Sequence, residues 1–132
     1  MKAVDTNVLL RQIVRDDPEQ FEKTSAFFSQ RTPDDPAYVS LIVLAELVWA
    51  LRYHYRYRNT QVQQLLAALV ETRELVFEDE QYLPKLLRQA EDSEADIADY
   101  LIAHVAERAG CESTVTFDRR AAKSVPGMEL LA

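Results

Sequence analysis

Cysteine is nearly absent. The 132 residues include one, Cys111, so no disulfide can form within the chain and stability must come from a packed core. Glycine is scarce, with two residues, and prolines number five, which leaves no flexible linker, low-complexity tract or internal repeat. At this length and 48% hydrophobic residues, one domain over residues 1–132 is expected. Long apolar runs are missing as well. The stretch 36–45 ends at Glu46, far short of the ~20 residues that cross a bilayer, so no membrane partner is expected. The N-terminus, Met1-Lys2-Ala3-Val4-Asp5, carries charge where a secretion signal has an apolar stretch. With the lone cysteine, this gives the expectation of a reducing, cytoplasmic setting. Positive charge is deficient: 15 Lys+Arg against 22 Asp+Glu leave a net charge of −7. That excludes a nucleic-acid binder held by diffuse positive charge, but not a nucleic-acid enzyme whose metal ions supply the missing charge.

What is present is a regular alternation. Ala3-Val4 reads as a strand before Asp5, and a helix follows over 6–14. Asp17-Pro18 supplies a cap and an N1 proline for a helix to about residue 30. Residues 33–36, Pro-Asp-Asp-Pro, are a loop, 37–39 a strand, and Ser40 caps a long helix from 41 to about 57. Helices over 59–72, from about 81 with Pro84 blurring the start, and over 93–109 with Gly110 at the stop then alternate with strands at 74–77, 113–117 and around 128–130. Strands separated by helices cannot be joined by hairpins. They predict an α/β fold, a three-layer α/β/α sandwich with a central parallel sheet of about five strands. Sites in such sheets form beyond the carboxyl ends of the strands, where Asp5 and Asp118 stand.

Glu46 has five apolar residues on each side in Leu41-Ile42-Val43-Leu44-Ala45-Glu46-Leu47-Val48-Trp49-Ala50-Leu51. A helix apolar all round is expected to be buried, and a buried carboxylate needs an arginine partner, a base or a metal. On the helix carrying Asp96 and Asp99, a 100° spacing centres the apolar face near Ala98, Val105 and Ala109. Asp99 then borders the core, whereas Asp96 faces solvent and completes a capping box begun by Ser93. Taken singly, Asp5 and Asp118 are ordinary helix caps. Taken together, two strand-end acids and two helix acids converge at one end of the sheet. There, each like-charged pair ~4 Å apart costs about 4 kcal/mol at an effective dielectric of about 20. A hard divalent cation resolves the repulsion. Mg²⁺ or Mn²⁺ suits an all-oxygen set, whereas zinc would recruit Cys or His. His54 and His104 are not spaced with other ligands, and both are expected at the surface, His104 on the polar side of its helix.

In order along the chain, Val4-Asp5-Thr6-Asn7-Val8-Leu9-Leu10, Val39-Ser40 leading to Ala45-Glu46-Leu47, Asp96-Ile97-Ala98-Asp99-Tyr100-Leu101-Ile102-Ala103, and Thr116-Phe117-Asp118 resemble the PIN-domain family. The resemblance is specifically to the VapC-type ribonuclease toxins of bacterial toxin–antitoxin pairs, and it runs nearly the whole chain. It implies metal-binding, catalytic carboxylates at Asp5, Glu46, Asp99 and Asp118, with Thr6 and Thr116 supporting them; Asp96 is an acid beyond the pattern. It also implies an RNA substrate, an antitoxin partner and a homodimer. The expected reaction is phosphodiester hydrolysis assisted by Mg²⁺, or by Mn²⁺ in its place.

Arg52 and Arg56, in the basic and aromatic segment 52–58, and Arg119, Arg120 and Lys123 beside Asp118 are candidate RNA contacts, arginine for phosphate and tyrosine for base stacking. The plainer reading is cations at a helix end and tyrosines closing a core. Two rival functions have different requirements. An aspartyl phosphatase usually has a second acid two residues after its nucleophile, where this chain has Asn7. A non-catalytic binding module would keep the fold without turnover.

Overall fold

The computed structural model describes residues 1–131. Strand β1 (Lys2–Ala3) leads into helix α1 (Thr6–Val14), and α2 (Pro18–Ser29) starts as expected from Asp17, which accepts from the Gln20 N–H at 3.0 Å, with Pro18 in the first turn. Strand β2 (Ala37–Val39) is followed by Ser40, whose hydroxyl accepts from the Val43 N–H at 3.2 Å and starts α3 (Leu41–Trp49). The Glu78 carboxylate adds a second cap there, accepting from the Leu41 N–H at 2.9 Å. The expected long helix does not stay regular: a π-helical turn, Ala50–His54, follows α3 directly. Helix α4 (Asn59–Val70), strand β3 (Leu75–Phe77), a 3₁₀ turn (Glu80–Tyr82) and α5 (Leu83–Ala90) come next. Pro84 lies in the first turn of α5, where its missing N–H costs nothing. Helix α6 (Ile97–Arg108), strand β4 (Thr114–Thr116), helix α7 (Arg119–Ser124) and strand β5 (Met128–Leu130) complete the described chain. Past the end of α6, Gly110 takes φ 89°, a left-handed conformation that favours glycine.

Among the described residues there are five strands, and the strand pairs are all parallel, as the alternation predicts. Among the described residues they form two hydrogen-bonded groups: β1–β2–β3, with Lys2 opposite Ala37 and Ala37 opposite Leu75, and β4–β5, with Thr114 opposite Met128. The strands are only two or three residues long, so the sandwich depends on its helices. α3 packs on α1 and α6, α6 on α5, and α4 on α5 and β3. Leu47, Val48, Leu51, Val62, Leu66, Leu83 and Ile97 are almost wholly buried in one core with Val39 of β2. Burying side chains of this kind stabilises by roughly 1.5–3 kcal/mol each. This core holds α3 and α6 side by side, and with them the acids they carry.

Candidate active site

Asp5 and Asp118 occupy equivalent places, each ending a strand and capping the next helix. Asp5 Oδ1 accepts from the Thr6 N–H at 2.7 Å. Asp118 Oδ1 accepts from the Arg120 and Ala121 N–H groups at 2.9 and 3.1 Å, and the Asp118 N–H donates to Thr116 Oγ1 at 3.0 Å. Asp99 lies in the first turn of α6, where its Oδ2 accepts from the Asp96 N–H at 3.2 Å. Each of the three aspartates therefore has one oxygen fixed by main-chain amides, while its second oxygen, Asp5 Oδ2, Asp99 Oδ1 or Asp118 Oδ2, makes no hydrogen bond among the described residues.

Among the described residues, none of Asp5, Glu46, Asp99 and Asp118 forms an ion pair. Burial pushes the Asp99 carboxyl above the ordinary range for aspartate, and the negative charges of Asp96 and Asp118 push it the same way, against the Asp96 N–H that favours ionisation. Asp99 and Asp118 thus stand in each other's field. Asp5, capping α1, and Glu46, on α3, belong to helices that pack together, and among the described residues no hydrogen bond or ion pair joins them to that pair. The acids do not form a closed cage. Among the described residues, no three His, Cys, Asp or Glu side chains are grouped closely enough to hold a metal ion as they stand.

The donor chemistry nevertheless fits a hard divalent cation. It is all oxygen, and among the described residues Asp5, Asp99 and Asp118 each have an oxygen without a hydrogen bond, as does the buried Thr6 Oγ1 in the residue after Asp5. Asp5, Asp99 and Asp118, with Glu46 across the α3–α6 contact, are the residues that could hold one. Thr116 supports Asp118 directly through its hydroxyl.

The structure corrects several expectations. Glu46 is exposed, not buried. Helix α3 turns Leu44, Leu47 and Val48 inward and presents Ile42, Glu46 and Trp49 to solvent, Ile42 being 73% and Trp49 61% exposed. Its apolar character all round reflects an uncovered apolar stripe, so Glu46 needs no buried partner.

Asp96 does not face solvent. Its side chain is 14% exposed and takes Arg52 Nε on Oδ1 at 3.0 Å and the Tyr53 hydroxyl on Oδ2. Asp96, not Ser93, caps α6, and the capping acid three residues on is Asp99. The buried face of α6 runs through Ile97, Tyr100, Leu101 and His104, while Val105 is 50% exposed. His104 is accordingly buried, with Nε2 2.9 Å from Asp79 Oδ2 and its ring against Tyr82. His54 is exposed, as expected.

Of the candidate RNA contacts, Arg56, Arg119, Arg120 and Lys123 are exposed, the last three on α7 behind Asp118. Arg52 is engaged internally, by Asp96 and by the Tyr57 carbonyl at 2.9 Å. Sequence reasoning does not single out Tyr53. The one signal that points to it is Asp96, an acid beside the site that needs a partner.

A search of curated proteins finds no match. The family model for the PIN domain matches residues 2–126, a span that takes in Asp5, Glu46, Asp99 and Asp118, and the chain belongs to the PIN domain family.

Proposed function

We propose that this protein is a metal-dependent endoribonuclease of the VapC type, the toxin of a toxin–antitoxin pair. PIN domains are commonly nucleases. The observation that carries the reading is the set of aspartates that, among the described residues, have one oxygen tied to the main chain, the other without a hydrogen bond, and no ion pair. Asp5 and Asp118 are exposed and Asp99 is part-buried, so their remaining oxygens are open to a ligand arriving from solvent.

A bound Mg²⁺ or Mn²⁺ would lower the pKa of an attacking water and offset charge developing on the scissile phosphate. The chain's own residues do the positioning. Asp5 and Asp118 hold their carboxylates at the ends of β1 and β4, each immobilised by helix-capping bonds. Asp99 contributes from α6 and Glu46 from α3. The Thr6 hydroxyl supplies a free hydrogen-bonding group beside Asp5, and Thr116 fixes the turn that carries Asp118. Arg119, Arg120 and Lys123 offer phosphate contacts next to Asp118, local positive charge in a chain of net charge −7.

Large apolar side chains exposed on the two helices that bear Glu46 and Asp99, namely Ile42, Trp49, Ile102 and Val105, support the homodimer, since such side chains are favoured at obligate contacts. The antitoxin follows from the same family reading. Induced expression of wild type and Asp5→Asn with RNA end-mapping tests the proposal. New 5′ ends at defined sequences in wild type only are expected, and identical end maps for the two would overturn it. Absence of any divalent-metal uptake would favour a non-catalytic binding module.

A further inference from the structure

Neighbouring side chains on a helix diverge by about 100°, yet Arg52 and Tyr53 finish on one carboxylate. Arg52 Nε donates to Asp96 Oδ1 at 3.0 Å, and the Tyr53 hydroxyl donates to Oδ2. Both residues belong to the π-helical turn after α3, where the ladder widens and the Tyr55 N–H reaches the Ala50 carbonyl at 3.0 Å. Turns of this kind are rare and frequent at functional sites. Arg52 is itself anchored, since Nη1 donates to the Tyr57 carbonyl at 2.9 Å and the guanidinium lies 5.5 Å from the Tyr53 ring centroid. The Trp49 ring meets Tyr53 edge-on at 5.4 Å. From Asp96 the connection continues through the main chain: the Asp96 N–H donates to Asp99 Oδ2 at 3.2 Å, and the Asp99 N–H donates to the Asp96 carbonyl at 3.0 Å.

We propose that Arg52 and Tyr53 are positioning residues for Asp99, acting through Asp96. By occupying both oxygens of Asp96 they keep that acid out of the metal-binding set. They also fix the amide that holds one oxygen of Asp99, leaving the other for a divalent cation. The inference rests on the metal-dependent reading above and adds to it a function for the one acid beside the site that the family pattern leaves unassigned. Outer-sphere partners of metal ligands typically change affinity 10–100-fold when removed. A contact that merely joined α3 to α6 would change stability and leave metal affinity alone.

The test is calorimetric titration of Mn²⁺ into the metal-free full chain at neutral pH, paired with melting curves in EDTA. Tyr53→Phe removes one oxygen from a side chain 58% exposed and is expected to shift melting by no more than about 2 °C, while weakening Mn²⁺ binding about tenfold. Arg52→Gln should weaken it at least as much, and Arg52→Lys should recover part of the loss. Combining Tyr53→Phe with Asp96→Asn should cost no more than Asp96→Asn alone, because both act through one carboxylate. Mn²⁺ binding in Tyr53→Phe and Arg52→Gln equal to that of a wild type that does bind overturns the proposal by itself. If Arg52→Gln does not fold, Tyr53→Phe decides. A wild type that takes up no Mn²⁺ overturns the metal-dependent reading, and this proposal with it.

Discussion

Asp99 is the acid whose surroundings least favour its own charge. Burial first, then Asp96 and Asp118, raise its carboxyl above the usual 3.8. A folded-state pKa above the unfolded one contributes stability that is complete below the unfolded pKa and is lost as pH rises through the folded value. Metal-free protein should therefore lose stability as pH rises from about 4 through the raised value of this carboxyl. Asp99→Asn should flatten that part of the profile and raise the neutral melting temperature in EDTA; an unchanged pH profile in the variant contradicts the assignment.

Thr6 poses the complementary case. Its buried hydroxyl has no hydrogen-bond partner among the described residues, and a buried unsatisfied group costs about 1–3 kcal/mol. Thr6→Val should leave the metal-free protein as stable or more so by roughly 1 kcal/mol, while divalent-metal affinity falls about tenfold. A variant with lower stability and full affinity would show Thr6 to be a core residue only. At this scale the strand-end acids were legible, because a cap before a helix leaves a clear mark in Asp5-Thr6 and Asp118-Arg119. The exposure of Glu46 was not. Apolar neighbours state what a helix is made of, and not which of its faces another element covers.

The elements themselves were mostly legible. Asp17-Pro18 and Ser40 place helix starts through chemistry local to the chain, and Ala37–Val39 and Met128–Leu130 lie where their strand character predicts. Two departures have tertiary causes. The stretch after Trp49 keeps helical spacing, so nothing in it announces a π turn; the turn is accompanied by the engagement of Arg52 and Tyr53 with Asp96 on another helix. Helix α6 starts late because two residues, Ser93 and Asp96, were eligible caps, and Asp96 is the one whose amide Asp99 can reach. Its buried face rotates accordingly, taking His104 inside to meet Asp79 and Tyr82, with Arg108 donating to the Tyr82 hydroxyl at 3.0 Å. This group ties the loop after β3 to α6, and none of the candidate site acids takes part in it. His104→Ala should destabilise by about 1–3 kcal/mol and leave RNA cleavage per folded molecule intact, checked by denaturant titration alongside a cleavage assay. A specific loss of cleavage would place His104 in the catalytic machinery.

At the scale of the whole molecule, fold class followed from order, since lone strands alternating with helices supply the crossovers that parallel pairing requires. The division into two ladders was not legible, because strands of two or three residues carry no sequence signal for which edges meet. No helix among the described residues is long and apolar enough to cross a membrane. With a net charge of −7, the molecule as a whole repels RNA, and the proposed function assigns the affinity to bound cations and to the exposed basic side chains of α7. Replacing Arg119 and Arg120 by alanine should weaken RNA binding and reduce the slope of log affinity against log salt by about 0.7 for each phosphate no longer neutralised. An unchanged slope would remove α7 from the RNA interface.

Incubating RNA with the purified chain, with Mg²⁺ or with EDTA, probes the assembly of carboxylates most directly. Cleavage should require the metal and fall on the order of 100-fold or more in Asp5→Asn and Asp99→Asn variants that remain folded. Cleavage that persists in EDTA, or that both variants retain in full, would contradict it.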